Sequence, residues 1–136
     1  MHIILLGQPL STNNIYRSHS RFGHPSVYMT PEGKALKQSY QIQAKYSLGN
    51  TKPFTGQIAM LVKLYFGDKR SRDIDNYNKI LLDSLTGIAY LDDKQIFGLA
   101  IEKYYDKQNP RIEISIKEMG IDEQRTTTKT LALRSV

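Results

Sequence analysis

Three acidic positions and a lysine in the middle of this chain have the types and spacing of a phosphodiester-cleaving site. Asp73 and Asp75 lie two residues apart in Arg72-Asp73-Ile74-Asp75-Asn76, and Lys79 follows Asp75 after one helical turn's worth of residues. In an extended segment side chains two apart share a side, so both carboxylates can face one space. A helix opening at about Asp75 adds its N-terminal amides, which favour anionic groups, and carries Lys79 on the same face. Further on, Leu91-Asp92-Asp93 ends the loop before the next strand and can bring back a third carboxylate, from either Asp. Three carboxylates supply hard oxygen ligands for Mg²⁺. Such an ion polarises a phosphoryl oxygen and lowers the pKa of an attacking water, while a lysine neutralises charge on the pentavalent transition state. Each part also has a plainer reading. Asp-x-Asp ahead of a helix is a common cap. Lys79 between Asp75 and Asp83 makes an ordinary surface ion-pair ladder, and Asp92-Asp93 suits a turn. Co-occurrence favours the catalytic reading, with Lys69, Arg70 and Arg72 just ahead of the acidic pair.

The charge distribution points the same way. The 136 residues carry 19 Lys and Arg against 13 Asp and Glu, a net charge of +6 with a pI near 9.5. That balance suits a polyanion, nucleic acid before a membrane surface. Residues 1–62 hold six bases (Arg17, Arg21, Lys34, Lys37, Lys45, Lys52) and one acid, Glu32, whereas residues 63–119 hold ten of each sign. The middle contains every Asp except Asp122. Acids kept beside a phosphate-gripping surface make sense if a cation lies between them. There is no Cys, which excludes disulfides, thiolate metal sites and cysteine nucleophiles. No apolar run reaches the length of a membrane span, and the start, MHIILLGQPL, lacks the features of a signal peptide.

The elements that must position these residues read as one α+β domain over 1–119, with a polar tail at 120–136. Residues 2–6, HIILL, make a short buried strand. A long polar loop follows over 8–26, with a hairpin return strand at 26–29. Thr30-Pro31-Glu32 is a helix start, with Thr as cap, Pro at the first position and an acid in the first turn. The helix runs to about Leu48 and stops at Gly49-Asn50, with Ala35, Leu36, Tyr40, Ala44 and Leu48 as its apolar stripe. Residues 57–66 form a strand burying Ile58, Met60, Val62, Leu64 and Phe66 on one face. A second helix spans about 75–86, ended by Gly87. Tyr77, Leu81, Leu85 and Ile88 lie on one side of it. Strands at 95–105 and 110–118 are joined closely enough for a hairpin.

With these residues in view, the sequence resembles the RusA family of Holliday-junction resolvases, which are common in phages and prophages. The resemblance is carried by Pro9-Leu-Ser-Thr-Asn13-Asn14-x-Tyr16-Arg17, by Arg72-Asp73-Ile-Asp75-Asn76-x-x-Lys79 through Asp83-x-Leu85-Thr86, by Tyr90-Leu-Asp92-Asp93-x-Gln95-Ile96 and by the last strand through Lys117-Glu-Met119. It implies a mixed sheet with two main helices, a homodimer, and a Mg²⁺-dependent endonuclease (Mn²⁺ able to substitute) that makes paired nicks in four-way junction DNA during recombination and repair. It implies a cytoplasmic, nucleoid-associated protein without a membrane. Carried over, Asp73, Asp75 and Asp93 match the catalytic metal-binding acids and Lys79 the essential lysine. Asp92 is the alternate third ligand, and Asp83 holds Lys79 in place. Asn13, Asn14, Tyr16, Arg17, Arg21, Lys69, Arg70 and Arg72 then form the DNA-binding surface, joined by Lys34 and Lys37. Tyr16 and Phe22 read equally as stacking surfaces for unpaired bases or as structural aromatics, Tyr28 as core on its strand, and His19 and His24 as solvated loop residues. The competing reading is a non-catalytic basic DNA-binding module, which would show steep salt dependence and no Mg²⁺-dependent nicking.

Overall fold

The strongest apolar alternation in the chain becomes the middle of its sheet. In the computed structural model, which describes residues 1–120, the elements in chain order are β1 (His2–Leu6), β2 (Tyr16–Arg21), β3 (His24–Met29), α1 (Pro31–Leu48), β4 (Ile58–Phe66), α2 (Asn78–Leu85), β5 (Ile96–Tyr105) and β6 (Arg111–Glu118). The main sheet is mixed, in the order β1-β6-β4-β5, and β2 and β3 form a separate two-stranded ribbon. The α+β architecture with two helices is as expected.

On β4, Ile58, Met60, Val62, Leu64 and Phe66 are all buried. They face a core shared with Ile3 and Leu5 of β1, Ile112, Ile114 and Ile116 of β6, and Tyr40, Ala44, Leu81 and Leu85 of the two helices. Both helices therefore lie on one face of the sheet, as alternation on the strands and a stripe on each helix require. Ala59 and Leu61 are buried on the other face of β4 as well. Farther along that face the side chains turn polar and stacked: Arg111 lies 3.8 Å from the Tyr65 ring centroid, and Tyr65 stacks on Tyr104 at 5.0 Å.

Four expectations are corrected. First, β5 and β6 are not a hairpin. β4 lies between them, parallel to β5 and antiparallel to β6. A strand apolar on both faces is most stable when flanked on both edges. The short connection crosses the end of β4, where Asp106 N donates to Phe66 O at 2.8 Å. Second, the predicted helix over 75–86 begins as a 3₁₀ turn, Ile74–Tyr77, and is α-helical only from Asn78 to Leu85. Third, Ala35 is exposed, and the buried positions of α1 are Gly33, Tyr40, Ala44 and Leu48. Gly33 takes part because the chain before α1 folds back over its first turn. A Cβ there would lie 2.5 Å from Ile15 Cγ2 and 2.8 Å from Met29 Cγ. Fourth, Tyr28 is half exposed, because β3 does not join the main sheet. The hairpin itself is as expected, with its return strand β3 starting at His24, two residues ahead of the expected 26–29. The start and stop of α1 are as expected: Thr30 Oγ1 accepts from Gly33 N at 3.1 Å, and Gly49 N donates to Lys45 O at 3.0 Å. The polar tail lies, from residue 121 onward, outside the described residues.

Candidate active site and nucleic-acid interface

The loop that leaves β4 is pinned before it reaches the acidic pair. Arg72 forms a two-point ion pair with Asp68, Nη1 to Oδ1 at 2.8 Å and Nη2 to Oδ2 at 3.1 Å, and its guanidinium lies 4.4 Å from the Phe66 ring centroid. Hydrogen bonds from Arg72 and then from the Arg70 backbone pull Asp68 down to about 2. Lys103 of β5 donates from Nζ to Arg72 O at 2.7 Å, tying the loop to the sheet edge. Tyr77 packs edge-on against Phe66 at 5.2 Å and seats the 3₁₀ turn. Between these two anchors stand Asp73 and Asp75, both exposed. Asp73 has the extended backbone of a cap residue (φ −87°, ψ 128°) but its side chain makes no capping hydrogen bond. The plain cap reading is thereby removed for Asp73.

Lys79, at the start of α2, is held by its neighbours. Asp83 Oδ2 lies 3.6 Å from Lys79 Nζ and accepts from the Tyr16 hydroxyl at 2.8 Å. The ammonium also stands 4.8 Å from the Tyr16 ring centroid, on the cation–π scale. Burial, followed by the hydrogen bond to Asp83, pushes the Tyr16 hydroxyl well above its ordinary value, so it is a fixed donor. Tyr16 is the first residue of β2, so this contact joins the basic ribbon to the helix carrying Lys79.

The 91–95 turn separates the two acids that the sequence left as alternatives. Asp92 Oδ1 accepts from Lys94 N at 2.9 Å in a reciprocal capping box with Gln95. That backbone hydrogen bond is the main reason Asp92 lies below the ordinary carboxylate range. Gln95 anchors the whole turn: its Oε1 accepts from Leu91 N and Asp92 N at 2.8 and 2.9 Å, and its Nε2 donates to Phe54 O and Gly56 O at 2.8 and 2.9 Å. Asp93 opens a short 3₁₀ turn, Asp93–Gln95, where an acid is favoured by the amides at its start. Asp92, Asp93, Asp83, Thr86 and Lys37 of α1 line one open depression of about 300 Å³.

The carboxylates suit a hard divalent cation in kind. In place they do not yet form a site: among the described residues no three His, Asp or Glu side chains converge to hold an ion. The structure groups Asp93 with Asp92, Asp83 and Lys37, and leaves Asp73 and Asp75 outside that depression.

The remaining predicted positions fall into two zones. Asn13 and Asn14 lie in a 3₁₀ turn, Thr12–Asn14, whose cap is the Ser11 hydroxyl accepting from Asn13 N at 3.2 Å. Arg17 is exposed and opposite Tyr28 in the ribbon, and Arg21 pairs with His24 at the ribbon's end. Lys69 and Arg70 line a second depression, of about 260 Å³, with Lys103, Tyr104 and Tyr105. Lys69 Nζ lies 5.0 Å from the Tyr105 ring centroid. Arg72 shares this wall, yet its side chain is only 15% exposed and is paired with Asp68. Sequence reasoning missed Gln95, Asp68 and Gly33 as positioning residues. Gln95 stood in a recognised stretch without a role. The Asp68/Arg72 spacing of four was available as a signal, but such pairs seldom matter unless partly buried.

A domain that raises a basic ribbon beside a lysine and a set of exposed carboxylates has the build of a nucleic-acid phosphodiesterase. Residues 7–117 match the family described as Endodeoxyribonuclease RusA, and this chain belongs to that family. It is 30% identical over 121 residues to the Escherichia coli K12 protein named crossover junction endodeoxyribonuclease RusA, covering 86% of this chain and 94% of that one. It is equally 30% identical, over 123 residues, to the enzyme of that name from Enterobacteria phage 82, covering 88% and 95%. A 48-residue stretch is 40% identical to the uncharacterized protein YqaN of Bacillus subtilis, covering 35% of this chain and 33% of that one.

Proposed function

We propose that this chain resolves four-way DNA junctions as an endodeoxyribonuclease, working as a homodimer that requires a divalent metal ion, Mg²⁺ or Mn²⁺. The domain responsible is residues 1–119. The observation that carries this reading is the match to junction-cutting relatives over nearly the whole described chain. The site geometry supports it. The Tyr16–Asp83–Lys79 contact links the acid-free N-terminal ribbon, which suits phosphates, to the helix that follows Asp73 and Asp75. Lys79 is set to meet phosphate charge while Asp83 and Tyr16 restrict where its ammonium can go. Asp73, Asp75 and Asp93 are the acids of the reaction; Asp92 serves the turn. The three acids are not gathered within the described residues of one chain, and the metal requirement rests on the hard oxygen donors they offer and on the family. Two cuts in strands of like polarity call for two sites related by two-fold symmetry, which a dimer of this small chain supplies.

The test is junction cleavage with and without Mg²⁺ on the wild type and Asp75→Asn. Cleavage should require the ion and be lost in the variant, while junction binding persists or tightens because a negative charge near phosphate is gone. Wild-type cutting rates for Asp75→Asn would remove Asp75 from the site. Binding without nicking at any Mg²⁺ concentration would leave a non-catalytic DNA-binding module instead.

A further inference from the structure

β1 is an outer strand of the main sheet, and its residues carry no charge. In an antiparallel ladder alternate residues turn both backbone groups to the same neighbour. Met1 exchanges two hydrogen bonds with Ile116, and Gly7 N donates to Pro110 O, so the odd-numbered residues of β1 bond to β6. His2, Ile4 and Leu6 therefore turn their N–H and C=O outward. Leu6 N meets a side chain there, donating to Gln43 Oε1 at 2.7 Å. The outward amides and carbonyls of His2 and Ile4 have no partner among the described residues.

Apolar side chains frame this open edge. Ile4 and Leu6 of the strand and Ile42 and Tyr46 of α1, with Gln43 and Ser47, line a groove of about 350 Å³. Leu6 and Ile42 are each 62% exposed, and Tyr46 is 91% exposed. Natural sheets blunt a free edge with Lys, Pro or a bulge, because a flat apolar edge recruits other chains. β1 has none of these devices. The opposite outer strand, β5, carries Glu102 and Lys103, and Lys103 ties the loop that bears Asp73 and Asp75 to it.

We infer that a second copy of this chain docks on the β1 edge. Two β1 strands pair antiparallel across a two-fold axis, the two four-stranded sheets become one, and the α1 side chains close over the seam. This rests on the homodimer reading above and adds the surface that makes the dimer. Two edges with the same unpaired groups satisfy each other, and the pairing consumes both, so assembly stops at two. Ile4, Leu6, Ile42 and Tyr46 together expose roughly 500 Å², most of the ~800 Å² per partner of a standard interface. The groove residues are uncharged, so two chains of net charge +6 meet here without opposed cations. Lys37, which lines the depression with Asp92 and Asp93, lies about half a turn around α1 from Tyr46. The pairing therefore leaves that depression open to DNA in both copies.

The experiment compares the full chain with Ile42→Lys and Tyr46→Lys by analytical ultracentrifugation over nanomolar to micromolar concentrations. Both side chains are exposed in the single chain, so the variants should keep the wild-type circular dichroism. A symmetric interface receives each new charge twice, so the dimer dissociation constant should rise by about a hundredfold or more. On a cruciform plasmid with Mg²⁺ the variants should give nicked circles where wild type gives linear product. The chain has no Cys, so Ile4→Cys supplies a second measurement: a bismaleimide should join two copies through it. The same reagent should not join copies through Phe97→Cys, which is equally accessible on β5. A wild-type dimer that the lysines leave intact and that Ile4→Cys does not crosslink overturns this surface, whether residues 121–136 or another element covers β1. The homodimer then still stands. A wild type that makes paired cuts as a monomer overturns the surface and the homodimer together, and the nuclease reading survives.

Discussion

Residues 68–72 and residues 73–75 are neighbours in one loop, and their acids have opposite surroundings. Asp68 is fully engaged, by the Arg72 guanidinium and the Arg70 backbone. The Asp73 and Asp75 carboxylates have no hydrogen-bond or ion-pair partner among the described residues. A weaker form of the contrast recurs across one peptide bond at Asp92 and Asp93: both line the depression with Asp83 and Lys37, but the Asp92 carboxylate caps the turn through the Lys94 amide, whereas Asp93 caps nothing. Acids that shape the loops are paired with cations or backbone amides. Acids left without such partners have their charge available for another ligand.

The contrast predicts a division of effects. The largest fall on the unpartnered set: Asp73→Asn and Asp75→Asn should each lower junction cleavage by about a thousandfold or more, with melting temperature held, and chelation by EDTA should mimic them. Asp93→Asn should join this group, whereas Asp92→Asn, whose side-chain oxygen can still cap the turn, should spare most activity, and Asp92→Ala should lower stability by about 1 kcal/mol through loss of the cap. Equal activity losses for the two would erase the distinction between them. Asp83→Asn should come next, near a hundredfold in kcat, by releasing Lys79 rather than by removing a reacting group. Its mark would be a kcat loss with KM little changed. Gly33→Ala should lower stability by about 1–3 kcal/mol through crowding against Ile15 and Met29, and weaken junction binding more than hairpin-independent properties. The smallest effect is at Asp68. Its carboxyl is below its ordinary value when folded, so the ion pair adds stability above about pH 4 and loses it as pH falls toward 2. Melting curves of wild type and Asp68→Asn should differ at neutral pH and converge in acid.

Much of this is legible in the sequence. Alternation over 57–66 marked β4, and Thr30-Pro31 with Gly49 bounded α1, because caps and period-two patterns are local. The acids and Lys79 were legible as a set from type and spacing. The pairing of β5 and β6 was not, since proximity in sequence favours a hairpin and nothing local announces that β4 takes the place between them. Nor was the exposure of Tyr28, which depends on the ribbon standing apart from the main sheet.

Residue types able to do chemistry, the basic character of the N-terminal half and the bounds of most elements are local properties of the chain. Which acid meets which partner is settled by folding. That choice depends on contacts between distant segments: Tyr16 with Asp83, Gln95 with Phe54 and Gly56, Lys103 with Arg72. A carboxylate's role follows from the donors around it, and a folded chain draws those donors from positions that spacing along the sequence does not reveal.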